Sequence, residues 1–179
     1  NLLNNDGIKV DFDISNQTYN SETLYIISSA INIDSIFLRD FIKEPNVLTR
    51  PNFLKSLSET VYLIGVTGTH GKTSTTALLA HIFKFNGIDI SYIYGGVTTF
   101  NGIGGHYGKE DLPLLLETDE AFNTFQELKI DNLLITNIDH DHIDHFGSYD
   151  NLVEAFRTVI SNVKDKCVNN IDDPTLSNF

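Results

Sequence analysis

The chain has 179 residues, 41% of them hydrophobic, which is enough for one compact domain and part of a second. Its formal net charge of -12 at pH 7 argues against DNA or RNA as a partner, because a phosphate backbone is bound by a basic surface. A single cysteine excludes an internal disulfide framework, and no apolar run approaches the roughly 18 residues of a membrane-spanning helix. We therefore expect a cytoplasmic protein without membrane insertion, whose oligomeric state the sequence does not reveal.

Short strands and helices alternate over the first 58 residues. Apolar runs and helical spacing predict a strand, a helix, a second strand and a second helix, over 24–28, 33–42, 46–49 and 51–57. Pro51 suits the first turn of the second helix, where its missing N–H costs no hydrogen bond. We place a domain boundary near Ser58, between a first unit at 1–58 and a second unit at 59–179.

The second unit alternates in the same way and predicts a larger sheet. Its apolar runs predict strands over 61–67, 89–94, 112–118, 133–136 and 167–169. Two helices are predicted, over 73–86 and 149–163. The first of them ends at Asn86-Gly87, a good helix cap, and the glycine-rich residues 97–111 predict a loop or hairpin. Apolar strands alternating with helices indicate an α/β fold with a mainly parallel sheet, in which we expect Cys167 to be buried.

A glycine-rich loop joins the first strand and the first helix of this second unit. It reads Thr67-Gly68-Thr69-His70-Gly71-Lys72-Thr73-Ser74. A strand, a glycine loop, Lys-Thr and a helix in this order are typical of a phosphate-binding loop, in which backbone N–H groups surround the phosphates. Lys72 can reach the terminal phosphates of ATP, and the Thr73 hydroxyl can hold Mg²⁺. The loop departs from the general pattern G-x-x-x-x-G-K-[ST], because Val66 stands where that pattern has its first glycine.

Two other predicted strands end in polar clusters. Leu114-Leu115-Leu116 precedes Glu117-Thr118-Asp119-Glu120, and the strand at 133–136 precedes N-I-D-H-D-H-I-D-H at 137–145. The carboxyl ends of parallel strands meet at one edge of a sheet, where ligands bind in such folds. Because carboxylates beside a phosphate loop are typical Mg²⁺ ligands, we predict that at least one of the three acids at 117–120 is functional.

The second cluster also fits a different class of enzyme. His140, His142, Asp144 and His145 spell H-x-H-x-D-H after an apolar strand, which is the zinc-binding pattern of metallo-β-lactamase-type hydrolases. That fold needs further histidines downstream, whereas His145 is the last histidine of this chain, and it has no phosphate loop upstream. A zinc hydrolase is therefore disfavoured. A polar loop with incidental histidines stays the other interpretation.

Taken together, the motifs resemble the Mur ligase family, the ATP-dependent amide ligases of peptidoglycan synthesis. The family's phosphate loop, T-G-T-x-G-K-[ST], matches residues 67–73. Five further stretches resemble family motifs in the same order, namely Ser28-Ser29-Ala30-Ile31, Gly95-Gly96, Glu117-Thr118-Asp119-Glu120, residues 136–144 and Asn170-Ile171-Asp172-Asp173-Pro174. His70 at the variable position of the loop and the S-S-A-I stretch resemble the branch that joins L-alanine to UDP-N-acetylmuramate.

The resemblance implies a fold, a reaction and two substrates. Residues 1–58 would be the end of an N-terminal Rossmann-like domain that binds the UDP substrate, and 59–179 the first part of a central ATP-binding domain. ATP would phosphorylate the carboxylate of UDP-N-acetylmuramate, and the amine of L-alanine would attack the acyl phosphate. This reaction needs ATP and Mg²⁺ as cofactors.

The resemblance also implies roles for individual residues. The ATP phosphates would be held by Gly68, Thr69, His70, Gly71, Lys72, Thr73 and Ser74. One Mg²⁺ would be held by Thr73 and Glu120, and a second metal ion by His142 and Glu120. The catalytic residues would be Lys72 and His142. Contacts on the substrate side would come from Ser28, Ser29, Arg50, Asn137 and Asp144, of which the last two could orient the metal ligands.

We expect the chain to be part of a longer protein. It contains no methionine, so the residue that starts translation is absent. The family's amino-acid-binding domain and the end of its central domain have no counterpart here, so we expect no ligase activity from the chain alone. Two alternatives stay open: another ligase of the family, acting in murein-peptide recycling or folate polyglutamation, and a non-catalytic nucleotide-binding fragment.

Overall fold

The structure is a computed structural model of the chain. The structure describes residues 8–10, 18–31, 41–99, 102–119, 124–140 and 143–179. At residues 124, 143 and 144 it describes the backbone only. The chain divides into two compact units, the first ending at Leu54 and the second beginning at Lys55. The functional boundary near Ser58 stays a prediction.

The first unit is built on a pair of parallel strands. These are β1 (Tyr25–Ile27) and β2 (Val47–Thr49), and a short 3-10 turn lies between them at Phe41–Lys43. The rings of Tyr25 and Phe41 meet edge to face at 4.7 Å. Both predicted strands of this unit are therefore present, whereas the helix predicted over 33–42 falls almost entirely outside the described residues.

The second unit contains a six-stranded sheet. Its strands are β3 (Leu63–Thr67), β4 (Ser91–Thr98), β5 (Gly102–His106), β6 (Leu114–Glu117), β7 (Asn132–Ile135) and β8 (Lys166–Asn169). They lie in the order β5-β4-β6-β3-β7-β8. Every neighbouring pair is parallel except β4 and β5, which form an antiparallel hairpin. The mainly parallel α/β sheet predicted from the sequence is confirmed.

Five described α-helices accompany the strands. They are α1 (Arg50–Ser58), α2 (Lys72–Phe85), α3 (Thr124–Glu127), α4 (Ile143–Phe146) and α5 (Tyr149–Asn162). The end of α2 is set by Gly87, whose φ of 73° allows its N–H to bond the Lys84 carbonyl. The start of α5 is set by Ser148, whose hydroxyl accepts the Asn151 N–H at 3.1 Å. No described helix is long and apolar enough to cross a membrane.

The sheet is covered on both faces. The buried face of α2 is small, with Ala77 and Ala80, so the helix packs closely on Val66, Tyr92 and Leu115 of the sheet. This burial raises the pKa of Tyr92 through desolvation. In a second buried layer, the rings of Phe125 and Phe156 pack edge to face at 5.2 Å, which joins α3 to α5. The three leucines of β6 are buried because the strand lies inside the sheet.

Two expectations about the strands are wrong. We predicted that Gly95-Gly96 closes the strand before it, but β4 continues through both glycines to Thr98 because β5 pairs with it beyond them. We also predicted a buried Cys167. Cys167 is exposed, like its neighbours Lys166 and Val168. The reason is that β8 is the last strand of the described sheet, so no further strand covers it.

Candidate functional site

Two glycines shape the loop between β3 and α2. Gly71 has a φ of 84° and directly precedes the first residue of α2. Gly68 has a φ of 127°, and a Cβ there would lie 2.1 Å from the Thr136 hydroxyl. Side chains are excluded at Gly68 by both conformation and space. The loop therefore turns tightly into the N-terminus of a 14-residue helix, whose first N–H groups favour an anion.

Lys72 reaches back over this loop. Its ammonium group donates to the carbonyl oxygens of Gly68 at 2.8 Å and Thr69 at 3.2 Å. Residues 69–74 and Glu117 line a cavity of about 270 Å³ at this point. The predicted phosphate-binding residues thus surround one cavity, apart from Gly68, which shapes the loop beneath it.

The carboxylate in the lining of this cavity belongs to Glu117. The Thr73 hydroxyl donates to Glu117 Oε1 at 2.6 Å, and the Gly95 N–H donates to Oε2 at 2.6 Å. The resemblance assigns a metal-binding carboxylate to Glu120, which lies outside the described residues, so that assignment stays a prediction. Glu117 belongs to the same predicted motif, and the parallel register of β6 with β3 places it beside Val66.

Asn137 holds the loop from the other side. Its side-chain Oδ1 accepts the His70 N–H at 2.9 Å, and its Nδ2 donates to the His70 carbonyl at 2.9 Å. Its backbone carbonyl accepts the Thr69 N–H at 3.0 Å. The Thr136 hydroxyl also donates to the His70 carbonyl, at 2.7 Å. The side-chain amide is therefore paired with backbone of the loop, and its expected role in orienting the metal ligands stays a prediction.

The loop after β7 is itself anchored by a buried carboxylate that sequence reasoning missed. Asp173 accepts N–H groups from Ile138 at 3.1 Å and from Thr175 and Leu176 at 2.9 Å each. The sequence feature that could have identified Asp173 is the Asp172-Asp173-Pro174 stretch, which the resemblance included without assigning it a role.

The ring of His140 stacks on Tyr149 at 4.0 Å, which gives this histidine a packing role.

The other predicted site residues stay predictions, because they belong to the first unit or have side chains outside the described residues. Ser28, Ser29 and Arg50 are exposed residues of the first unit, and the Ser28 hydroxyl accepts the Ala30 N–H at 3.3 Å. His142 lies outside the described residues, and Asp144 lies in α4, where only backbone is described. Within the described part of the chain, no group of three or more His, Cys, Asp or Glu side chains could hold a metal ion.

Comparison with known sequences relates the site to one family. Residues 66–179 match the family model of the Mur ligase middle domain. The UDP-N-acetylmuramate–L-alanine ligase of Azorhizobium caulinodans is 35% identical over 162 residues, which cover 90% of this chain and 34% of that protein. The chain therefore spans about a third of the length of the relatives that it matches.

Comparison with solved structures agrees with the fold described above. UDP-N-acetylmuramate-alanine ligase MurC from Thermotoga maritima superposes with a TM-score of 0.79 at 27% identity, covering 98% of this chain and 41% of that one. MurF ligase from the same organism, solved in complex with ADP, superposes with a TM-score of 0.59 at 20% identity, covering 90% and 47%. At that identity the second likeness concerns the fold alone.

Replacing Asn137 with alanine is expected to loosen the loop without unfolding the protein. The substitution removes the acceptor of the His70 N–H, and one hydrogen bond corresponds to a roughly fivefold change in local opening. Amide hydrogen exchange followed by NMR should therefore be about fivefold faster at His70. Asn86→Ala, which removes an exposed amide at the far end of α2, is the matched control and should leave His70 unchanged. Unchanged exchange at His70 in Asn137→Ala would contradict the pairing described here.

Proposed function

This chain belongs to the Mur ligase family, and from that membership we propose that it is the nucleotide-binding part of an ATP-dependent ligase of peptidoglycan synthesis. The observation that carries the proposal is the contact between Thr73 and Glu117 in the lining of the loop cavity. A hydroxyl from the phosphate loop and a carboxylate from the neighbouring strand of the sheet, β6, are the pair of groups expected beside a bound magnesium-nucleotide. The UDP-substrate domain and the central domain are assigned, as proposals, to residues 1–58 and 59–179.

The loop would bind the phosphates of ATP. The N-terminus of α2 presents backbone N–H groups toward the cavity, and Lys72 supplies a positive charge. The contacts of Lys72 with Gly68 and Thr69 hold its ammonium group over the loop, where an incoming phosphate would replace the two carbonyls. In phosphoryl transfer, charge spreads over the terminal phosphate oxygens, so positioning and electrostatic stabilisation supply most of the catalysis.

The residues beside the loop fit Mg²⁺. Thr73 and Glu117 offer a hydroxyl and a carboxylate oxygen, which are the ligand types that this ion prefers, and the two oxygens are 2.6 Å apart. Bound there, Mg²⁺ would neutralise phosphate charge. Glu120 and His142 keep their predicted metal roles as proposals, and His142 is proposed to act near the reacting carboxylate.

The proposed reaction joins L-alanine to UDP-N-acetylmuramate through an acyl phosphate. Relatives that carry this name support the choice of substrates, as does His70 at the variable loop position. The family likeness alone also suits a ligase that recycles murein peptides or one that adds glutamate to folate. The relatives are about three times as long as this chain, so the complete reaction is proposed for a protein of their length.

The amino acid is tested in a protein of the relatives' length that contains this chain. With ATP, Mg²⁺ and UDP-N-acetylmuramate present, L-alanine should stimulate phosphate release more than any other amino acid or peptide. Preferential stimulation by a murein tripeptide, or by glutamate with a folate, would replace the proposal with the corresponding ligase. The 179-residue chain by itself should show no L-alanine-dependent phosphate release.

Lys72→Ala is expected to abolish ATP turnover in that longer protein and to weaken ADP binding by this chain. Loss of one charge-assisted contact to phosphate corresponds to a roughly 10- to 100-fold weaker affinity. Calorimetric titration of ADP into the chain measures it. Lys84→Ala, at the opposite end of α2, is the matched control, because it removes an equal charge far from the cavity. Equal affinities for the Lys72→Ala and Lys84→Ala chains would refute the phosphate-loop assignment.

Glu117→Ala is expected to raise the Mg²⁺ concentration needed for nucleotide binding by about tenfold or more, because it removes the carboxylate that contacts Thr73. Glu120→Ala is the matched comparison from the same motif. A Mg²⁺ titration of ADP affinity in both variants decides which acid serves the ion. A shift confined to Glu120→Ala would assign the ion to Glu120 and contradict the role proposed for Glu117.

A further inference from the structure

We propose that the backbone N–H of Gly95 is a positioning group for the Glu117 carboxylate. The conformation of β4 at Gly95-Gly96 directs this N–H toward Glu117. The inference rests on the proposed function, since it assumes that Glu117 serves a magnesium-nucleotide. It assigns a role to a glycine pair that neither the phosphate loop nor the strand-end acids explain. The β4–β5 hairpin thereby becomes part of the nucleotide site.

The pairing of β4 with β5 is interrupted at this step. Ile93 pairs with Gly105 and Val97 with Ile103, so residues 94–96 of β4 lie opposite the single residue Gly104 of β5. Two extra residues on one strand form a bulge, which turns backbone groups out of the ladder. The N–H of Gly95 lies in this bulge and is donated to Glu117 of the strand on the other side, β6.

Glycine is required for the bulge at two positions. Gly96 has a φ of 131°, a conformation that other residues rarely adopt. A Cβ on Gly104 would lie 2.0 Å from the Tyr94 carbonyl oxygen, so this close approach of the two strands excludes a side chain. Both strands of the hairpin therefore carry a glycine that the bulge requires, Gly96 in β4 and Gly104 in β5, which argues against an accidental irregularity.

The bulge also lies directly against the site. A Cβ built on Gly95 would be 3.6 Å from Glu117 Oε2, and one on Gly96 would be 3.6 Å from the Thr73 methyl group. Glu117 is thus held at both oxygens, by Gly95 through Oε2 and by the Thr73 hydroxyl through Oε1. When the Thr73 hydroxyl turns toward an ion, the Gly95 bond still aims the carboxylate. A carboxylate positioned before binding loses less freedom when the ion arrives.

The test removes the N–H while retaining the rest of the site. Gly95→Pro lacks the donor, whereas Gly95→Ala keeps it, and the added Cβ makes only an ordinary contact with Glu117. ADP is titrated into each chain with Mg²⁺ and again with EDTA. We expect Gly95→Pro to lose about tenfold in ADP affinity with Mg²⁺ and to stay within about twofold in EDTA, where Glu117 has no ion to serve. Gly95→Ala should follow the wild type in both conditions.

A double variant separates this role from a merely structural one. If Gly95 acts through Glu117, adding Gly95→Pro to Glu117→Ala should cause no further loss of affinity with Mg²⁺. Independent, additive losses would overturn the proposal. Equal losses with Mg²⁺ and in EDTA would also overturn it, because they would indicate general damage to the hairpin.

A measurement on a variant that keeps Gly95 decides the matter if Gly95→Pro does not fold. A short N–H bond to a carboxylate moves the amide proton downfield in the NMR spectrum, so the Gly95 proton should move upfield in Glu117→Ala. An unmoved Gly95 proton would overturn the inference. If wild-type ADP binding shows no Mg²⁺ dependence, the proposed function fails and the inference fails with it. Mg²⁺ dependence that is equal in wild type and Gly95→Pro overturns the inference alone.

Discussion

Parallel pairing of β3 with β6 on one side and β7 on the other is the constraint on which the candidate site depends. In that register Val66 lies beside Glu117, and Thr67 lies beside Ile135. Because the three strands run in the same direction, the residues that follow them leave the sheet at the same edge. The phosphate loop is therefore flanked by a carboxylate from one neighbouring strand and by the amide of Asn137 from the other.

The two flanking side chains, Asn137 and Glu117, both bind backbone groups, and these contacts account for the glycines that lie close to them in the structure. Asn137 pairs with both backbone groups of His70, and Gly68 has no side chain because the Thr136 hydroxyl occupies that space. Glu117 accepts the N–H of Gly95, which lies in a bulge of β4. Backbone groups at defined positions restrain side chains more firmly than mobile side chains do, so these bonds fix the orientation of Asn137 and Glu117.

The electrostatics of the site differ from those of the whole protein. A net charge of -12 repels a nucleotide, so binding requires local positive charge. Lys72 and the N-terminus of α2 supply it at the cavity, and a bound cation beside Glu117 would add to it. The positive charge of Lys72 and of the N-terminus of α2 lies within residues 66–179, the part of the chain that matches the ligase family.

The sequence by itself determined the features that depend on neighbouring residues. The strand, the phosphate loop and the helix around Lys72, and the alternation that indicates a parallel sheet, follow from glycine positions and apolar spacing within a few residues. Only the tertiary structure decided that Glu117 contacts Thr73, that Asn137 holds the loop, that β4 continues past Gly95-Gly96, and that Cys167 is exposed. Each of these depends on which strands are neighbours, in what register, and which strand lies at the edge. Such contacts join residues that are tens of positions apart, so no local pattern in the sequence specifies them.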